Sequence, residues 1–200
     1  MKTNNKKQEL TKIAYKLFLT KGYENTSIDE IIKEAGIAKG TYYYYFESKE
    51  ETLEEVINMI LDNMVSRAKQ VIEMPLTTTE KFISVIMCFK PSIEEEQLSN
   101  TIHLPENVVM HQKMNKRIIT EAVPILVKVV EQGNDEKLLN SKDNISEKVK
   151  TTLLLSQSLF DDLNYTERDV VVYIDILENL YGARKGSLDF VKKLIGNKEE

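Results

Sequence analysis

Apolar residues recur at helical spacing along almost the whole of this chain. One such stripe, at the i, i+3, i+4, i+7, i+8 spacing of a single helical face, consists of Leu10, Ile13, Ala14, Leu17 and Phe18. The 200 residues include seven glycines and four prolines, and no run alternates between apolar and polar residues as a half-buried strand does. The sequence therefore predicts an all-α fold.

Glycines and capping residues divide the first 46 residues into three short helices. Gly22 and Gly36 are expected to end the first and the second helix, because glycine favours the left-handed conformation found there. Ser27 is expected to begin the second helix, since Glu30 completes a capping box three residues later. The third helix is predicted over residues 39–46.

The rest of the chain is predicted to form longer helices. Ser48 and Glu51 form a second capping box at the start of one of them, and Pro124 predicts a kink or a break in another. The other expected boundaries are a helix start at Pro75–Glu80, a helix start at Pro105, a polar loop over 131–144, helices over 145–162 and 166–182, and a frayed end over 197–200.

Composition limits the environments in which such a chain can work. No apolar run approaches the roughly 18 residues of a membrane span, and no signal peptide is recognisable. The single cysteine, Cys88, cannot form an intramolecular disulfide. The net charge is −5, but residues 1–50 carry nine lysines against seven acidic residues. We therefore expect a soluble cytoplasmic protein, without membrane contact, whose amino-terminal quarter is its basic end.

The stretch KGTYYYYF at residues 39–46 contains four consecutive tyrosines. Successive helical residues lie about 100° apart, so these rings cannot share one face. Tyr42 and Phe46 lie close together on the helical wheel, which predicts that they anchor the helix inward, with Tyr45 on the flank. The opposite arc carries Gly40, Thr41, Tyr43 and Tyr44.

The three short helices, with a glycine turn between the second and the third, predict a helix-turn-helix. The chain resembles the tetracycline-repressor-like (TetR) family of transcriptional regulators over about a quarter of its length, in the segment AYKLFLTKGYENTSIDEIIKEAGIAKGTYYYYFESKEETL. The resemblance implies a helix-turn-helix DNA-binding domain over residues 1–47. It also implies a larger helical ligand-binding and dimerisation domain over residues 48–200.

The resemblance places the third helix in the major groove of a double-stranded operator. Gly40 and Thr41 allow close approach, Tyr43 and Tyr44 can direct hydroxyls at phosphates, and Glu47 would repel phosphate if it faced the DNA. Tyr45 stands where the family often has histidine. The positions implied to bind DNA are Thr26, Ser27, Lys39, Gly40, Thr41, Tyr43, Tyr44, Tyr45 and Lys49.

The resemblance further implies a homodimer, a palindromic operator and a small-molecule effector of unknown identity, with no cofactor. The last two long helices are expected to form the dimer interface, and the middle helices a ligand pocket. The acidic body also permits a cationic ligand. The candidate pocket residues, for which plain core packing is the alternative, are Phe82, Met87, Phe89, His103, Met110, His111, Met114, Ile118 and Phe160.

The two histidines and the cysteine could support other chemistry. His103 and His111 are eight residues apart with Glu106 between them, whereas a helical metal site wants a four-residue spacing or a further converging ligand. We therefore predict no metal site and interpret both histidines as structural or pocket-lining. Cys88 lies in an apolar stretch, which favours a small buried hydrophobe over a redox sensor.

Two other functional classes compete with a DNA-binding regulator. An enzyme is disfavoured because the sequence contains no activated nucleophile, paired-carboxylate motif or glycine-rich phosphate loop. The second alternative is a helical protein-interaction adaptor with a vestigial helix-turn-helix. Gly40, Thr41, Tyr44 and Lys49 favour the regulator, and a ligand-responsive repressor is the function that the sequence predicts.

Overall fold

The computed structural model describes the backbone of residues 2–160 and 165–195 and, within these ranges, all side chains except those of residues 2–4 and 106. This part of the chain contains helices and no strand, which confirms the predicted all-α fold. The α-helices are α1 (Lys2–Lys21), α2 (Ile28–Glu34), α3 (Lys39–Tyr45), α4 (Lys49–Ile72), α5 (Thr78–Cys88), α6 (Glu96–Ile102), α7 (Val108–Asp135), α8 (Ile145–Phe160), α9 (Glu167–Tyr181) and α10 (Lys192–Ile195).

The ends of the first helices follow the predicted signals. Gly22 and Gly36 adopt positive φ angles of 84° and 60°, just after α1 and α2. The Ser27 hydroxyl accepts the backbone N–H of Glu30 at 3.2 Å, and the Glu30 carboxylate accepts the backbone N–H of Ser27 at 2.9 Å. This capping box is therefore confirmed, and α3 begins at Lys39 as predicted.

The second predicted capping box forms only in part. The Ser48 hydroxyl accepts the backbone N–H of Glu51 at 3.2 Å, as expected at the start of α4. The Glu51 carboxylate, however, accepts the backbone N–H of Glu47 rather than that of Ser48. The serine half of the box still satisfies one of the free N–H groups at the helix start.

Later helices agree with most of the predicted boundaries. The box of Thr77 and Glu80 opens α5. One helix, α7, passes through Pro124, so the predicted break is wrong; buried neighbours on α7 hold the helix in place despite the lost hydrogen bond. It also extends to Asp135, five residues into the predicted loop. Predicted positions 161–162 and 197–200 lie outside the described residues.

The chain divides into two compact units. The first runs to Met64 and resumes over Pro91–Asn115, and the second comprises Val65–Lys90 and the chain from Lys116 onward. Within the first unit, the Tyr15 hydroxyl on α1 donates to Glu95 just before α6 at 3.0 Å. The chain thus returns to its amino-terminal helices after leaving them.

Each unit has its own apolar interior. The first buries one face of α1 together with residues of the next three helices, chiefly Leu10, Ala14, Phe18, Ile31, Tyr42, Phe46 and Leu53. The second buries residues of α5, α7, α8 and α9, among them Val85, Val129, Val149, Ile174 and Leu177. The stripe predicted on α1 therefore does face a core, although Ile13 and Leu17 are half-buried.

Candidate DNA interface and interior cavity

Tyr42 fixes the orientation of α3. Its side chain is fully buried, its hydroxyl hydrogen-bonds to that of Thr52 on α4, and Phe46 is buried beside it. Burial raises the pKa of Tyr42, which keeps its hydroxyl protonated. The prediction that Tyr42 and Phe46 anchor the helix inward is confirmed.

The other three tyrosines of α3 lie outside this core. Tyr43 is 46% exposed and Tyr44 is 71% exposed, whereas Tyr45 is half-buried. The Tyr44 and Tyr45 rings meet edge to face, with their centroids 4.9 Å apart. Both exposed rings present hydroxyls to solvent on the arc that the helical wheel predicts.

The amino-terminal end of α3 presents small and basic groups to solvent. The Lys39 ammonium lies 3.3 Å from the carboxylate of Asp29 on α2, and both side chains are mostly exposed. Gly40 is exposed, and a Cβ added to it would meet no atom within 4 Å. Thr41 is half-buried. This end of the helix therefore has free space in front of it and a positive charge beside it.

Lys49 has protein partners at the start of α4. Its ammonium donates to the carbonyl of Tyr23 at 3.0 Å and lies 4.2 Å above the centre of the Tyr23 ring. Burial, and next the charge of Glu50, raise the pKa of Tyr23, which stays neutral. Lys49 thus holds the turn after α1 against α4 while remaining half-exposed.

Thr26 and Ser27 also have structural partners. Thr26 is 1% exposed, and its hydroxyl donates to the Gly22 carbonyl at 2.9 Å, so this placement does not offer the hydroxyl to a phosphate. Ser27 is exposed but caps α2. Its partner Glu30 has a pKa lowered to about 2, first by a hydrogen bond from Lys21 and then by those from Ser27.

The second unit contains a cavity of about 430 Å³. Its wall is mostly apolar and is built from α5, α7, α8, α9 and the carboxyl-terminal segment that ends in α10. One face of α5 lines it with residues four apart: Thr78, Phe82, Ile86 and Lys90, the last just beyond the helix. A cavity of this volume is within the usual range for small-molecule sites, about 300–1,000 Å³.

Hydroxyl groups on α8 and α9 form a buried chain among the residues that line the cavity. The Thr152 hydroxyl on α8 lies 3.1 Å from the Tyr181 hydroxyl on α9, and the Tyr173 hydroxyl donates to the Thr152 carbonyl at 3.2 Å. Burial raises the pKa of Tyr173 to about 12. These hydroxyls are neutral and already paired, so they can offer a ligand only their remaining acceptor positions.

Two of the nine candidate pocket residues line this cavity: Phe82 and Phe160. Met87 is 50% exposed on another face of α5, because it lies one residue beyond Ile86 and so about 100° away. In the described part of the chain the other candidates do not line the cavity: Phe89, His103, Met110, His111, Met114 and Ile118. Sequence reasoning missed Thr152, Tyr173 and Tyr181, which carried no signal beyond helical spacing.

The two histidines form a ring pair in the first unit. Their centroids are 4.4 Å apart, His103 Nδ1 lies 2.7 Å from the Ser99 carbonyl, and His111 Nε2 lies 3.1 Å from the Asn115 amide nitrogen. Among the described residues, no three histidines, cysteines or carboxylates cluster as metal ligands would. Cys88 is half-buried, and burial raises the pKa of its thiol, which disfavours the reactive thiolate. None of the helices that the structure describes is long and apolar enough to cross a membrane.

Comparison with known proteins places the amino-terminal helices in a family. Residues 10–56 match the sequence model of the family described as "Bacterial regulatory proteins, tetR family". This range includes α2, α3, the end of α1 and the start of α4. It therefore contains the buried anchor Tyr42 and all nine positions implied to bind DNA.

Curated relatives extend the likeness beyond this segment. The chain is 30% identical over 114 residues, 57% of its length, to the HTH-type transcriptional repressor KstR2 of Mycolicibacterium smegmatis. It is 30% identical over 143 residues, 70% of its length, to the uncharacterized HTH-type transcriptional regulator YuxN of Bacillus subtilis. The matches span 52% and 45% of those proteins, about half the length of each.

A solved structure shares the fold along nearly the whole chain. The transcriptional regulator of the TetR/AcrR family from Thermobifida fusca superposes with a TM-score of 0.57 at 22% identity. The superposition covers 98% of this chain and 100% of the other. The matching helix-turn-helix segment and the curated relatives support a transcriptional regulator of the TetR family, and the solved structure shows the same fold over nearly the whole chain.

Proposed function

We propose that the chain is a ligand-responsive repressor that binds a palindromic, double-stranded operator as a homodimer in the cytoplasm. Residues 1–47 would form the DNA-binding domain, and residues 48–200 the ligand-binding and dimerisation domain. Repression, rather than activation, is supported by the KstR2 relative, which is named a transcriptional repressor.

The orientation of α3 is the observation that carries the DNA-binding role. Tyr42 is buried, while Lys39, Gly40 and Tyr44 are exposed, so the helix offers a small, basic end and two hydroxyl-bearing rings to a partner. A helix entering the major groove needs little bulk where it approaches the base edges. We assign base approach to Gly40 and Thr41, and backbone contacts to Lys39, Tyr43, Tyr44 and Tyr45.

The remaining proposed DNA positions act mainly by placing α3. Thr26 and Lys49 both bond to the turn between α1 and α2, at the carbonyls of Gly22 and Tyr23 respectively. Ser27 caps α2 and leaves its exposed hydroxyl near the helix start, where a phosphate can also accept backbone N–H groups. These contacts support a role in holding the reading helix at a fixed angle.

Exposed apolar residues on α8 and α9 support dimerisation through these helices. Leu154 on α8 is 47% exposed, and on α9 Val171, Val172 and Ile176 are 48%, 55% and 40% exposed. Val172 and Ile176 are one helical turn apart and share a face. A second copy of the chain would remove these side chains from water, and a twofold axis would match a palindromic operator.

The cavity of the second unit supports a small-molecule effector. A ligand that fits one conformation of the cavity better than another would bias the dimer toward that conformation. Two recognition helices whose spacing no longer matched the half-sites would release the operator. We therefore place the effector against α5, α8 and α9, with Phe82 and Phe160 as the predicted residues that contact it.

Selection from a pool of randomised DNA duplexes tests this function. We expect the purified protein to enrich one sequence with twofold symmetry, and the enriched duplex to bind more tightly than a scrambled duplex of the same composition. Failure to enrich any duplex would instead favour the protein-interaction adaptor with a vestigial helix-turn-helix.

A further inference from the structure

Residues from the start of α5 to just beyond its end line the cavity of the second unit. Thr78 and Lys90 both line it and lie twelve residues apart, on the same helical face as Phe82 and Ile86. At a rise of 1.5 Å per residue the helix spans about 15 Å from Thr78 to Cys88, and Lys90 lies two residues further on. The residues of α5 that line the cavity therefore extend along the helix, which suits a ligand with a long apolar chain.

Charge distinguishes the two ends of the cavity. Among the described residues that line it, Lys90 alone is charged, and Lys90 is exposed to solvent. Its ammonium donates to the Leu194 carbonyl at 2.5 Å, which leaves two further N–H donors. This end can therefore bind an anion without losing its present contact.

The Thr78 end is buried and carries negative charge beside it. Thr78 is 3% exposed, and its hydroxyl makes no hydrogen bond within the described part of the chain. Glu136 accepts the Thr78 backbone N–H at 3.1 Å, and hydrogen bonds from Gln132 first and Thr78 next lower its pKa. The backbone N–H groups at the start of α5 would otherwise attract an anion. The carboxylates of Glu80 and Glu136, however, already accept hydrogen bonds from the N–H groups of Thr77 and Thr78.

We propose that the effector is an elongated amphiphile whose apolar chain lies along α5 and whose carboxylate pairs with Lys90. This inference rests on the proposed function, because it names the chemical class of the effector for that same cavity. The described lining contains no carboxylate, which opposes the cationic ligand that the acidic composition permitted. The far end of the chain would lie near the Thr78 hydroxyl.

Binding of matched probes to the DNA-free protein tests the head group. We would measure dodecanoate, dodecanol and dodecyltrimethylammonium by calorimetry, each below its micelle-forming concentration. Dodecanoate is expected to bind about threefold to tenfold more tightly than dodecanol, a modest factor because Lys90 is partly solvated. Equal affinity for the two, tighter binding of the ammonium, or no binding by any probe would overturn the proposal.

Lys90→Gln and Lys81→Gln form a matched pair of variants. Both lysines belong to the α5 region and donate to a backbone carbonyl, Lys81 to Ile72 at 2.6 Å, but Lys81 does not line the cavity in the described structure. Lys90→Gln should abolish the preference for dodecanoate over dodecanol, and Lys81→Gln should retain it. Lys90→Arg, which keeps the charge, should also retain it; loss of the preference in all three variants would contradict the assignment.

Two measurements distinguish this inference from the proposed function: how affinity depends on the length of the carboxylate's chain, and whether the ligand releases the selected duplex. From octanoate upward, affinity should rise about fourfold per methylene, and stop rising once the chain reaches Thr78. Affinity that does not depend on chain length would overturn the proposed position along α5. If carboxylates bound but did not release the selected duplex, the regulatory function would be refuted and the ligand class would stand. If only an unrelated compound released the duplex, the ligand class would be refuted and the regulatory function would stand.

Discussion

The hydroxyl groups of Tyr42 on α3 and Thr52 on α4 are hydrogen-bonded to each other, and both residues are fully buried. Both hydroxyls also lie within reach of the Ser48 carbonyl, that of Thr52 at 3.0 Å and that of Tyr42 at 3.4 Å. The helix α3 is thereby tied to the first turn of α4 by a polar contact inside an apolar core. The other three rings of the tyrosine run are left to face outward or sideways.

Removal of the Tyr42 hydroxyl should weaken the fold and spare DNA binding. Tyr42→Phe loses one buried hydrogen bond, and we expect it to lower the free energy of unfolding by about 1 kcal/mol. Tyr44→Phe is the control, because Tyr44 is 71% exposed and its change should stay within about 0.5 kcal/mol. Urea unfolding measures both, and equal losses in the two variants would contradict the role of Tyr42 as the anchor.

Alanine at Gly40 should separate stability from DNA affinity. A Cβ at Gly40 meets no atom within 4 Å, and alanine favours helix over glycine by about 1 kcal/mol, so Gly40→Ala should leave the protein as stable or more stable. It should nevertheless weaken binding to the selected duplex, because the added methyl group lies where the bases approach. Unchanged affinity would show that Gly40 does not face the bases.

Alanine at Gly133 should have the opposite effect on stability. Its Cβ would lie 2.7 Å from Leu139 Cδ1 and 3.1 Å from Thr78 Cγ2, inside van der Waals contact. We expect Gly133→Ala to lower the free energy of unfolding by about 1–3 kcal/mol, as overpacked cores do. Thermal unfolding of Gly133→Ala and of Gly40→Ala compares their stabilities directly. A Gly133→Ala protein as stable as the parent would contradict the close packing of α7 at this position.

The cap of α2 should weaken in acid. The pKa of Glu30 is about 2 in the folded protein against an ordinary value of 4.5, because Lys21 and Ser27 bond to its carboxylate. A lowered pKa contributes stability above the ordinary value, and this contribution disappears as the pH falls toward about 2. The free energies of unfolding of the parent and of Glu30→Gln, whose amide carries no charge, should differ near neutral pH and converge in acid. A difference that persists at low pH would rule out the charge as its cause.

A charge on the exposed face of α9 should dissociate the proposed dimer. Val172→Asp would place a carboxylate in the proposed apolar interface, and we expect at least about a tenfold weaker association in analytical ultracentrifugation. Val109→Asp is the control, because Val109 is 61% exposed but lies on α7. If Val109→Asp dissociated the protein and Val172→Asp did not, the interface would have to be placed elsewhere.

Local signals predicted the recognition unit well. The Ser27–Glu30 box and the inward position of Tyr42 depend on residues within a few positions of each other, so spacing alone was enough to place them. The helix start at Pro75–Glu80 was predicted from local signals too, and the structure adds the capping box of Thr77 and Glu80.

The cavity could not be predicted from such signals. Phe82, on α5, and Tyr181, on α9, line one space only because distant helices pack together, and nothing in their local sequence distinguishes them from core residues. Methionines were predicted to line the pocket because their side chains are adaptable. Met87, however, lies on another face of α5. The sequence predicted a kink or a break at Pro124, and the break was wrong because packing of α7 outweighs the local preference of proline.

The affinity of the Lys39→Ala, Tyr43→Ala double variant for the selected duplex is the most direct measurement of the central claim. We expect at least about a tenfold loss and a shallower salt dependence, because phosphate contacts release counterions when they form. Lys193→Ala, at an exposed lysine of α10, should bind like the parent. An unchanged affinity of the double variant would contradict the assignment of α3 as the helix that reads DNA.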